Sequence, residues 1–434
     1  MSYFTTNPKK KIAIIGAGFT GLTAGFRLQQ SGHEVTVFEK KGHPGGMSGG
    51  FREKAWEWTL DEYYHHWFTN DERVLGLAQE LGYKTIIQKP VTSVYVEEKF
   101  YQFDSPQSIL LFPKLPLLDK LRMAASIGLI RYNPFWQPLE GINASRLLPK
   151  MMGENAYKMI WKPQFTNKFG KYADDVSLAW FWARIRKRTQ SLAYPTGGFL
   201  QFADTLAEKI TELGGNVLFN AEITSIKEDN GVILRVSEGK KEIVRKFDSV
   251  IITTPSSSFL KIAPQLPQSY KNSMSQLNSL GATNLVLRLK KQFFPNHTYW
   301  LSVCNKSSGI MAIVEHTNFM DKKHYNNEHI VYIGNYAPVD HPDFLATKED
   351  LLSLYDPFLR KINPQYKQNL IDYKLFKERF AQPVIPPHYS KIIPSMITPL
   401  PDVYLANIEQ VYPWDRGTNY AVELGEKAAR AIDG

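Results

Sequence analysis

The sequence has a single cysteine, Cys304, among 434 residues. An intramolecular disulfide, a C-x-x-C redox pair and a cysteine-based zinc cluster are therefore excluded, and we expect no metal site. Long apolar runs are also missing from the leucine-rich part of the chain. The longest uncharged run there, Met123 to Ile130, is far shorter than the roughly 20 residues that span a bilayer. No internal repeat or long low-complexity linker is visible.

Acidic side chains are in the minority, with 42 against 52 basic ones and a formal net charge of +10. This excess suits an anionic cofactor, a nucleotide substrate or an anionic membrane surface without choosing among them. The basic run at 184–188 has no interleaved aromatics, so we expect no nucleic-acid partner and assign Arg184, Arg186, Lys187 and Arg188 to a solvated face. Three lysines precede the first apolar stretch without a cleavage site, which predicts a cytoplasmic protein.

The best-defined part of the sequence is 11–46, which has the pattern strand, glycine turn, helix, strand and second glycine turn. The apolar run 12–15 is typical of a parallel strand buried on both faces. Gly16, Gly18 and Gly21 follow it with the spacing G-x-G-x-x-G. They allow a tight turn, the approach of a pyrophosphate to the backbone and close packing of helix on strand, respectively.

Glu39 ends the second strand of this unit, after the apolar residues 35–38. A carboxylate at this position accepts hydrogen bonds from ribose hydroxyls, and the helix N-terminus attracts phosphates. Because the strands, the helix, the glycines and the acid all occur together, the sequence predicts a dinucleotide site.

The remaining chain alternates between stretches with the strand, turn and helix pattern of the nucleotide-binding unit and stretches with other mixtures of strands and helices. We predict a helix over 71–82, strands over 84–103, mainly helix over 145–190 with a bend at WKPQFTNKFG, and strands at LVLRL, TYWLSV and HIVYIGNY. The strand, turn and helix pattern of the nucleotide-binding unit occurs in three separated blocks. This arrangement indicates two interleaved domains. The predicted division is 1–75, 191–259 and 400–434 for nucleotide binding, and 76–190 and 260–399 for substrate binding.

Residues 107–137 combine leucines, aromatics and prolines with Lys114, Lys120, Arg122 and Arg131. Basic amphipathic segments occur both in folded lids and on membrane surfaces. We favour a helical lid or core piece of the substrate domain, and peripheral membrane contact is the alternative.

Four separated pieces together resemble the FAD-dependent amine oxidase superfamily, which includes protoporphyrinogen oxidases, phytoene desaturases and UDP-galactopyranose mutases. They are GAGFTGLTAG with Glu39 and the pair Gly45-Gly46, YPTGGFLQFADTLAEKITELGGNVLFNAEITSI, DSVIITTP, and YLAN with YPWDRGTNYAVELG. The resemblance implies an α/β protein. Its Rossmann-like FAD-binding domain, of the glutathione reductase type, would be interleaved with an α+β substrate-binding domain.

The resemblance also implies roles for single residues toward FAD. The backbone near Ile223 would face the adenine, Glu409 would contact the ribityl chain or phosphate, and the turn at 417–419 would offer N–H groups to flavin N1 and O2. The full set assigned to FAD is Gly16, Gly18, Phe19, Thr20, Gly21, Glu39, Lys40, Gly45, Gly46, Met47, Ile223, Thr254, Glu409, Gly417, Thr418 and Asn419. Cysteinyl attachment of FAD would require Cys304 to fold near the final turn.

Four residues are candidates for catalysis. His65 and His66 lie in a region that borders the flavin in such relatives, where an imidazole could hydrogen-bond flavin or move a proton; packing in a core is the alternative. Tyr412 and Trp414 would form aromatic walls around a substrate or, alternatively, pack a hydrophobic corner. Asp415 and Arg416 would form a local ion pair that fixes the turn.

The resemblance implies an FAD-dependent oxidoreductase. Hydride would pass from a C–C or C–N bond of an apolar, lipid-linked or glycan-linked small molecule to flavin N5. Asn284 stands where polyamine-type oxidases carry a lysine, which weakens amine oxidation proper. A UDP-galactopyranose mutase-like isomerase that uses reduced FAD and a non-catalytic escort-type binding protein are the alternatives. The sequence predicts neither the electron acceptor nor the oligomeric state.

Overall fold

The computed structural model describes residues 8–239, 241–305 and 309–434. In chain order the strands are β1 (Lys11–Ile15), β2 (Glu34–Phe38), β3 (Gly50–Phe51), β4 (Leu60–Asp61), β5 (Trp67–Phe68), β6 (Thr85–Gln88), β7 (Val91–Val96), β8 (Lys99–Gln102), β9 (Leu192–Pro195), β10 (Asn216–Leu218), β11 (Ala221–Glu228), β12 (Val232–Glu238), β13 (Lys241–Phe247), β14 (Ser249–Ile252), β15 (Ser279–Leu289), β16 (Thr298–Val303), β17 (Ala312–Glu315), β18 (His329–Ala337), β19 (Leu370–Pro383) and β20 (Val403–Leu405).

The α-helices are α1 (Phe19–Gln30), α2 (Glu72–Glu80), α3 (Pro106–Leu110), α4 (Leu117–Tyr132), α5 (Gln137–Glu140), α6 (Ala144–Met152), α7 (Glu154–Ala156), α8 (Lys162–Phe169), α9 (Leu178–Lys187), α10 (Phe199–Glu212), α11 (Ser256–Ile262), α12 (Gln268–Met274), α13 (Pro342–Leu345), α14 (Lys348–Ile362) and α15 (Thr418–Asp433). The predicted strand, helix, strand unit at the start of the chain is confirmed, and so is the final strand, turn and helix.

A parallel sheet with the order β10-β2-β1-β14-β20 forms the centre of the first half of the molecule. Alternate residues of β1 face opposite sides of it, as the twofold repeat of a strand requires. Ile12 and Ile14 pack with α1, α10 and α15 on one face. Ala13 and Ile15 pack on the other face against the antiparallel sheet β11-β12-β13 and α11. The chain is thus a mixed α/β protein.

The second half contains a mixed sheet with the order β19-β15-β18-β17-β16-β7-β8, in which only β16 and β7 pair in parallel among the strands described. Leu285 and Leu287 pack against α14 on one face. Val286, between them, points to the other face and belongs to the core shared with β1 and α1. This shared core fixes the sheet beside the edge of the parallel sheet.

Two predicted domain boundaries cut through elements. The boundary after residue 75 divides α2, whose Leu77 and Ala78 pack in the same core as α1. The boundary after residue 259 divides α11, and Phe259, Ala263 and Leu266 all pack beneath the parallel sheet. Each helix therefore packs as one unit against the elements around the parallel sheet.

The predicted bend at WKPQFTNKFG is wrong. The stretch forms α8, with Pro163 as its second residue. The irregularity lies before it, as a π-helical turn at Tyr157–Trp161, and the helix ends at Gly170 with φ of +54°. Within the described ranges, no helix combines the length and the apolar character needed to cross a membrane.

Candidate active site

A cavity of about 920 Å³ begins at the carboxyl ends of the parallel strands and continues under the mixed sheet. Ile15 at the end of β1, Phe38 at the end of β2 and Thr253 after β14 all line it. Ligands of open α/β sheets bind at this edge, where loops diverge between strands. The predicted site residues that line it are Gly16, Gly18, Phe19, Thr20, Glu39, Lys40, Gly45, Gly46, Met47, His65, His66, Ile223, Thr254, Gly417, Thr418 and Asn419.

The two glycine turns pack directly on each other. Gly45 donates its N–H to the carbonyl of Ala17 at 2.8 Å. A Cβ on Gly46, whose φ is +58°, would lie 3.1 Å from the Cα of Gly18. Side chains at these turns would therefore fill the space above the N-terminus of α1. The bare backbone leaves an anion access to that helix end.

Gly21 does not line the cavity but lies inside α1, within its first turn. A Cβ there would lie 2.0 Å from the carbonyl oxygen of Gly16 and 3.2 Å from Ile14. The absence of a side chain is what lets α1 approach β1 so closely.

Glu39 stands between the first glycine turn and the loop after β2. Its carboxylate accepts hydrogen bonds from the N–H of Ala17 and the N–H of Lys41, both at 2.9 Å, and the residue is 8% exposed. A carboxylate has about four lone-pair positions, so two bonds leave capacity for ribose hydroxyls. On the adjacent wall, the Thr254 hydroxyl is buried without a partner in the structure.

The N-terminus of α15 closes the far side of the nucleotide half of the cavity. Thr418 and Asn419 are its first residues, whose backbone N–H groups have no partner inside a helix. Their side chains already accept hydrogen bonds from other parts of the chain. The Thr418 hydroxyl accepts one from the Trp67 indole at 2.6 Å, and the side-chain amide oxygen of Asn419 accepts one from the backbone N–H of Arg73 at 3.0 Å. The side chains fix the turn, and the backbone faces the cavity.

Glu409 is placed differently from the prediction. It is 6% exposed and does not line the cavity. Its carboxylate accepts from the backbone N–H of Ser256 at 3.0 Å and from the Asn407 amide at 2.9 Å. Because these bonds tie the loop after β14 to the loop after β20, Glu409 supports the wall rather than contacting a ligand.

Tyr412 and Trp414 are likewise outside the cavity lining, so the predicted aromatic walls are wrong. The Tyr412 hydroxyl donates to Glu140 at 2.9 Å. Trp414 stacks on Trp182 with a centroid distance of 5.1 Å and on Tyr420. Both side chains pack the hydrophobic corner that was the alternative interpretation. The aromatic wall comes instead from other elements, with Trp161, Phe165, Trp180, Phe181, Trp300 and Tyr336.

His65 and His66 both line the cavity. Burial lowers the pKa of His65 to about 4, with a further contribution from the charge of Arg416. Burial also lowers the pKa of His66 to about 3, and Arg188 adds to the effect. Both imidazoles are therefore neutral at pH 7 and can accept a hydrogen bond.

Lys168, Arg184, Arg188 and Arg416 form a cationic wall around the half of the cavity remote from the glycine turns. Lys168, on α8, is 8% exposed and forms no ion pair within the described residues. Its Nζ lies 5.3 Å from the Trp180 ring centroid and 5.1 Å from that of Tyr336. Burial lowers the pKa of Lys168 well below its usual value, and Arg184 lowers it further.

The predicted ion pair between Asp415 and Arg416 is replaced by another. Asp415 pairs with Arg184 at 2.6 Å and accepts from the Trp180 indole at 3.0 Å. Arg416 instead donates to Gln382 at 2.9 Å and to the Tyr336 hydroxyl. Burial favours protonation of Asp415, but the charges of Lys168 and Arg184 outweigh it and hold its pKa below the usual range.

The basic run is only in part a solvated face: Arg188 is exposed, as predicted, but three of the four side chains also border the cavity. Arg184, Lys187 and Arg188 line the cavity, whereas Arg186 donates to the Arg131 and Asn133 carbonyls. Trp180 and Arg184 are spaced by four residues on α9 and so share one helix face, and Arg188, directly after the last residue of α9, continues the spacing. That spacing was the signal in the sequence for a functional face, and Lys168 on another helix had no such signal.

Cys304 lies away from the final turn. Its thiol donates to the Ile160 carbonyl at 3.5 Å, and burial raises its pKa to about 12. It does not line the cavity, so it gives no support to cysteinyl attachment.

Comparisons with known proteins find several with a similar sequence or the same fold. Coproporphyrinogen III oxidase of Staphylococcus aureus is 21% identical over 299 residues, which are 59% of this chain and 63% of that protein. Cyclohexylamine oxidase from Brevibacterium oxydans superposes with a TM-score of 0.75 at 17% identity, covering 98% of this chain and 99% of the other. Reduced UDP-galactopyranose mutase superposes with a TM-score of 0.77 at 16% identity, covering 98% and 95%.

The sequence model that describes flavin-containing amine oxidoreductases matches residues 19–433. The match includes the helix after the first glycine turn, the aromatic stretch with both histidines and the final turn. The chain therefore belongs to the flavin-containing amine oxidoreductase family, and its cofactor is FAD.

Proposed function

We propose that this protein is an FAD-dependent oxidoreductase that dehydrogenates a C–C or C–N bond of an apolar or glycan-linked substrate bearing an anionic group. The observation that carries the proposal is the continuity of the cavity. One space joins the glycine turns to a chamber of aromatic rings and cations. A nucleotide domain of the glutathione reductase type is the arrangement we infer for the parallel sheet and its β11-β12-β13 insertion.

The residues present are suited to FAD. Gly18 and Gly46 keep side chains away from the N-terminus of α1, and Glu39 retains acceptor capacity beside it. The α15 N-terminus would favour negative charge on the flavin pyrimidine ring. Bound FAD supplies a hydride acceptor at N5.

The chain's own residues would position the substrate and exclude water. Aromatic rings, including Trp180 and Tyr336, offer apolar faces, and the cationic wall offers an anchor for a carboxylate or phosphate. The cavity lining carries nine Lys and Arg side chains against five Asp and Glu. The positive excess can neutralise both a diphosphate and one further anionic group. Neutral His65 or His66 would accept a hydrogen bond from the substrate group that loses the proton accompanying hydride removal.

Anaerobic reduction tests the proposal. The purified holoprotein is mixed without oxygen with apolar carboxylates, amines and lipid-linked glycans, and the flavin absorbance is followed. Bleaching by one of these classes is expected. Conversion of a nucleotide sugar at constant mass, and only after dithionite reduction, would instead indicate the mutase. A colourless protein that cannot be reconstituted with FAD would contradict both activities and favour the escort-type alternative.

A further inference from the structure

The exposed apolar side chains are concentrated in one segment. Among the described residues, fifteen large apolar side chains are exposed, and eight of them lie between 110 and 135. Scattered surface leucines need no explanation, but a contiguous group marks an interaction surface.

Most of this group lies on a single face of α4. Leu117, Leu118, Leu121, Leu129 and Tyr132, here called the apolar stripe, are 51–79% exposed. At about 100° per residue they fall within an arc of about 120°. The opposite face is the buried one, with Asp119, Met123, Ser126 and Ile130. The helix thus buries an acid and a serine while it presents leucines to solvent.

Basic side chains flank the apolar stripe on both edges. Lys120 and Arg131 lie on one edge and Arg122 on the other, by the same helical spacing. The one acidic residue of segment 107–137, Asp119, is 8% exposed and accepts a hydrogen bond from Asn155 at 2.9 Å. The charge around the stripe is therefore positive, which complements anionic lipid headgroups.

The size of the stripe argues against a stable protein partner. The helix has 16 residues and is about 24 Å long, and a stripe about 10 Å wide covers roughly 250 Å². A stable protein interface needs about 800 Å² from each side. A shallow apolar face with a basic rim is instead the usual form of a helix that lies in the plane of a membrane interface.

We propose that the apolar stripe docks this protein onto the surface of an anionic lipid bilayer, with α4 lying in the interface. The C-terminal end of α4 adjoins the cavity, because Arg131 donates to the carbonyl of Arg188 at 2.8 Å and Arg188 lines the cationic wall. Docking would therefore hold that wall beside the headgroups. The proposal does not depend on the chemistry at the flavin.

Vesicle sedimentation tests the proposal with the full-length holoprotein. The vesicles are phosphatidylcholine alone or phosphatidylcholine with phosphatidylglycerol. The stripe variant is Leu117→Gln, Leu121→Gln and Leu129→Gln. A matched control changes three other exposed leucines, Leu213→Gln, Leu345→Gln and Leu354→Gln. Since all six side chains are exposed, neither variant removes core packing.

The expected result is binding of wild type and control to the anionic vesicles, with at least roughly tenfold weaker partitioning of the stripe variant. Lys120→Glu with Arg122→Glu should also weaken binding, and added salt should do the same. Three results would overturn the proposal: wild type that ignores anionic vesicles, a stripe variant that binds like the control, or a wild-type dimer in solution that the stripe substitutions dissociate.

Discussion

Lys168 illustrates how a single residue can define a site. A buried amine that pairs with no carboxylate is costly, and neighbouring cations increase the cost. The nearest compensation is the charge of Asp415, which already pairs with Arg184, and the faces of three aromatic rings, Phe169, Trp180 and Tyr336. A substrate anion would supply the missing charge, which makes the lysine a binding residue rather than a packing residue.

Lys168→Met should weaken the binding of benzoate, an aromatic carboxylate, by roughly tenfold or more, since it removes a desolvated charge and keeps the side-chain volume. It should leave the free energy of unfolding unchanged or raise it. Calorimetric titration of the holoprotein measures the affinity. Lys171→Met, at an exposed lysine on the following turn, is the control. Equal benzoate affinity in both variants would contradict the assignment.

Asp71 gives a pH dependence whose sign can be stated. Burial raises the pKa of this cavity-lining carboxyl to about 6, although it accepts a hydrogen bond from the N–H of Phe68. Between pH 4 and 6 the unfolded chain loses a proton that the folded chain keeps, so the group's contribution to stability falls as pH rises and is constant above this window. In wild type this carboxyl should lower the free energy of unfolding by about 2 kcal/mol between pH 4 and 6, and Asp71→Asn should remove that decrease.

Urea unfolding of both apoproteins across this pH range measures that difference. Parallel stability curves for wild type and Asp71→Asn would show that the carboxyl titrates normally.

Among the helices, strands and turns, the sequence predicted best those whose backbone contacts leave no room for a side chain. The spacing of Gly16, Gly18 and Gly21 predicted the turn and α1, and at Gly16 and Gly21 the neighbouring atoms leave no room for a Cβ. The positions of the Tyr412 and Trp414 side chains could not be predicted, because an aromatic side chain packs equally well in a cavity wall and in a core. The cationic wall was missed because α8, α9 and the final turn meet only in the folded molecule.

Gly21→Ala should destabilise the apoprotein by about 3 kcal/mol, because the new Cβ would meet the Gly16 carbonyl and force α1 away from β1. FAD retention should fall with it. Gly128→Ala is the matched helical control. No heavy atom lies within 4 Å of its built Cβ, so helix propensity should make it neutral or stabilising by up to about 1 kcal/mol. Urea unfolding compares them, and equal stabilities would refute the close-packing explanation.

For the whole molecule, the glycine-turn unit and the family resemblance predicted the α/β class and the cofactor. The interleaving of two domains stays a prediction. Two of its boundaries fall inside α2 and α11, because the apolar face of a short helix does not reveal which sheet it packs beside. The described structure adds a relation between distant parts: one cavity extends from the carboxyl ends of β1 and β2 to α8 and α9.

The central claim is that this cavity holds FAD and substrate together. A crystal structure of the holoprotein with benzoate tests it most directly. We predict the diphosphate at the α1 N-terminus, the flavin beside the α15 N-terminus, and the benzoate carboxylate on Lys168 or Arg416 with its ring over the flavin. Benzoate bound outside the cavity, or a flavin turned away from the cationic wall, would contradict the account.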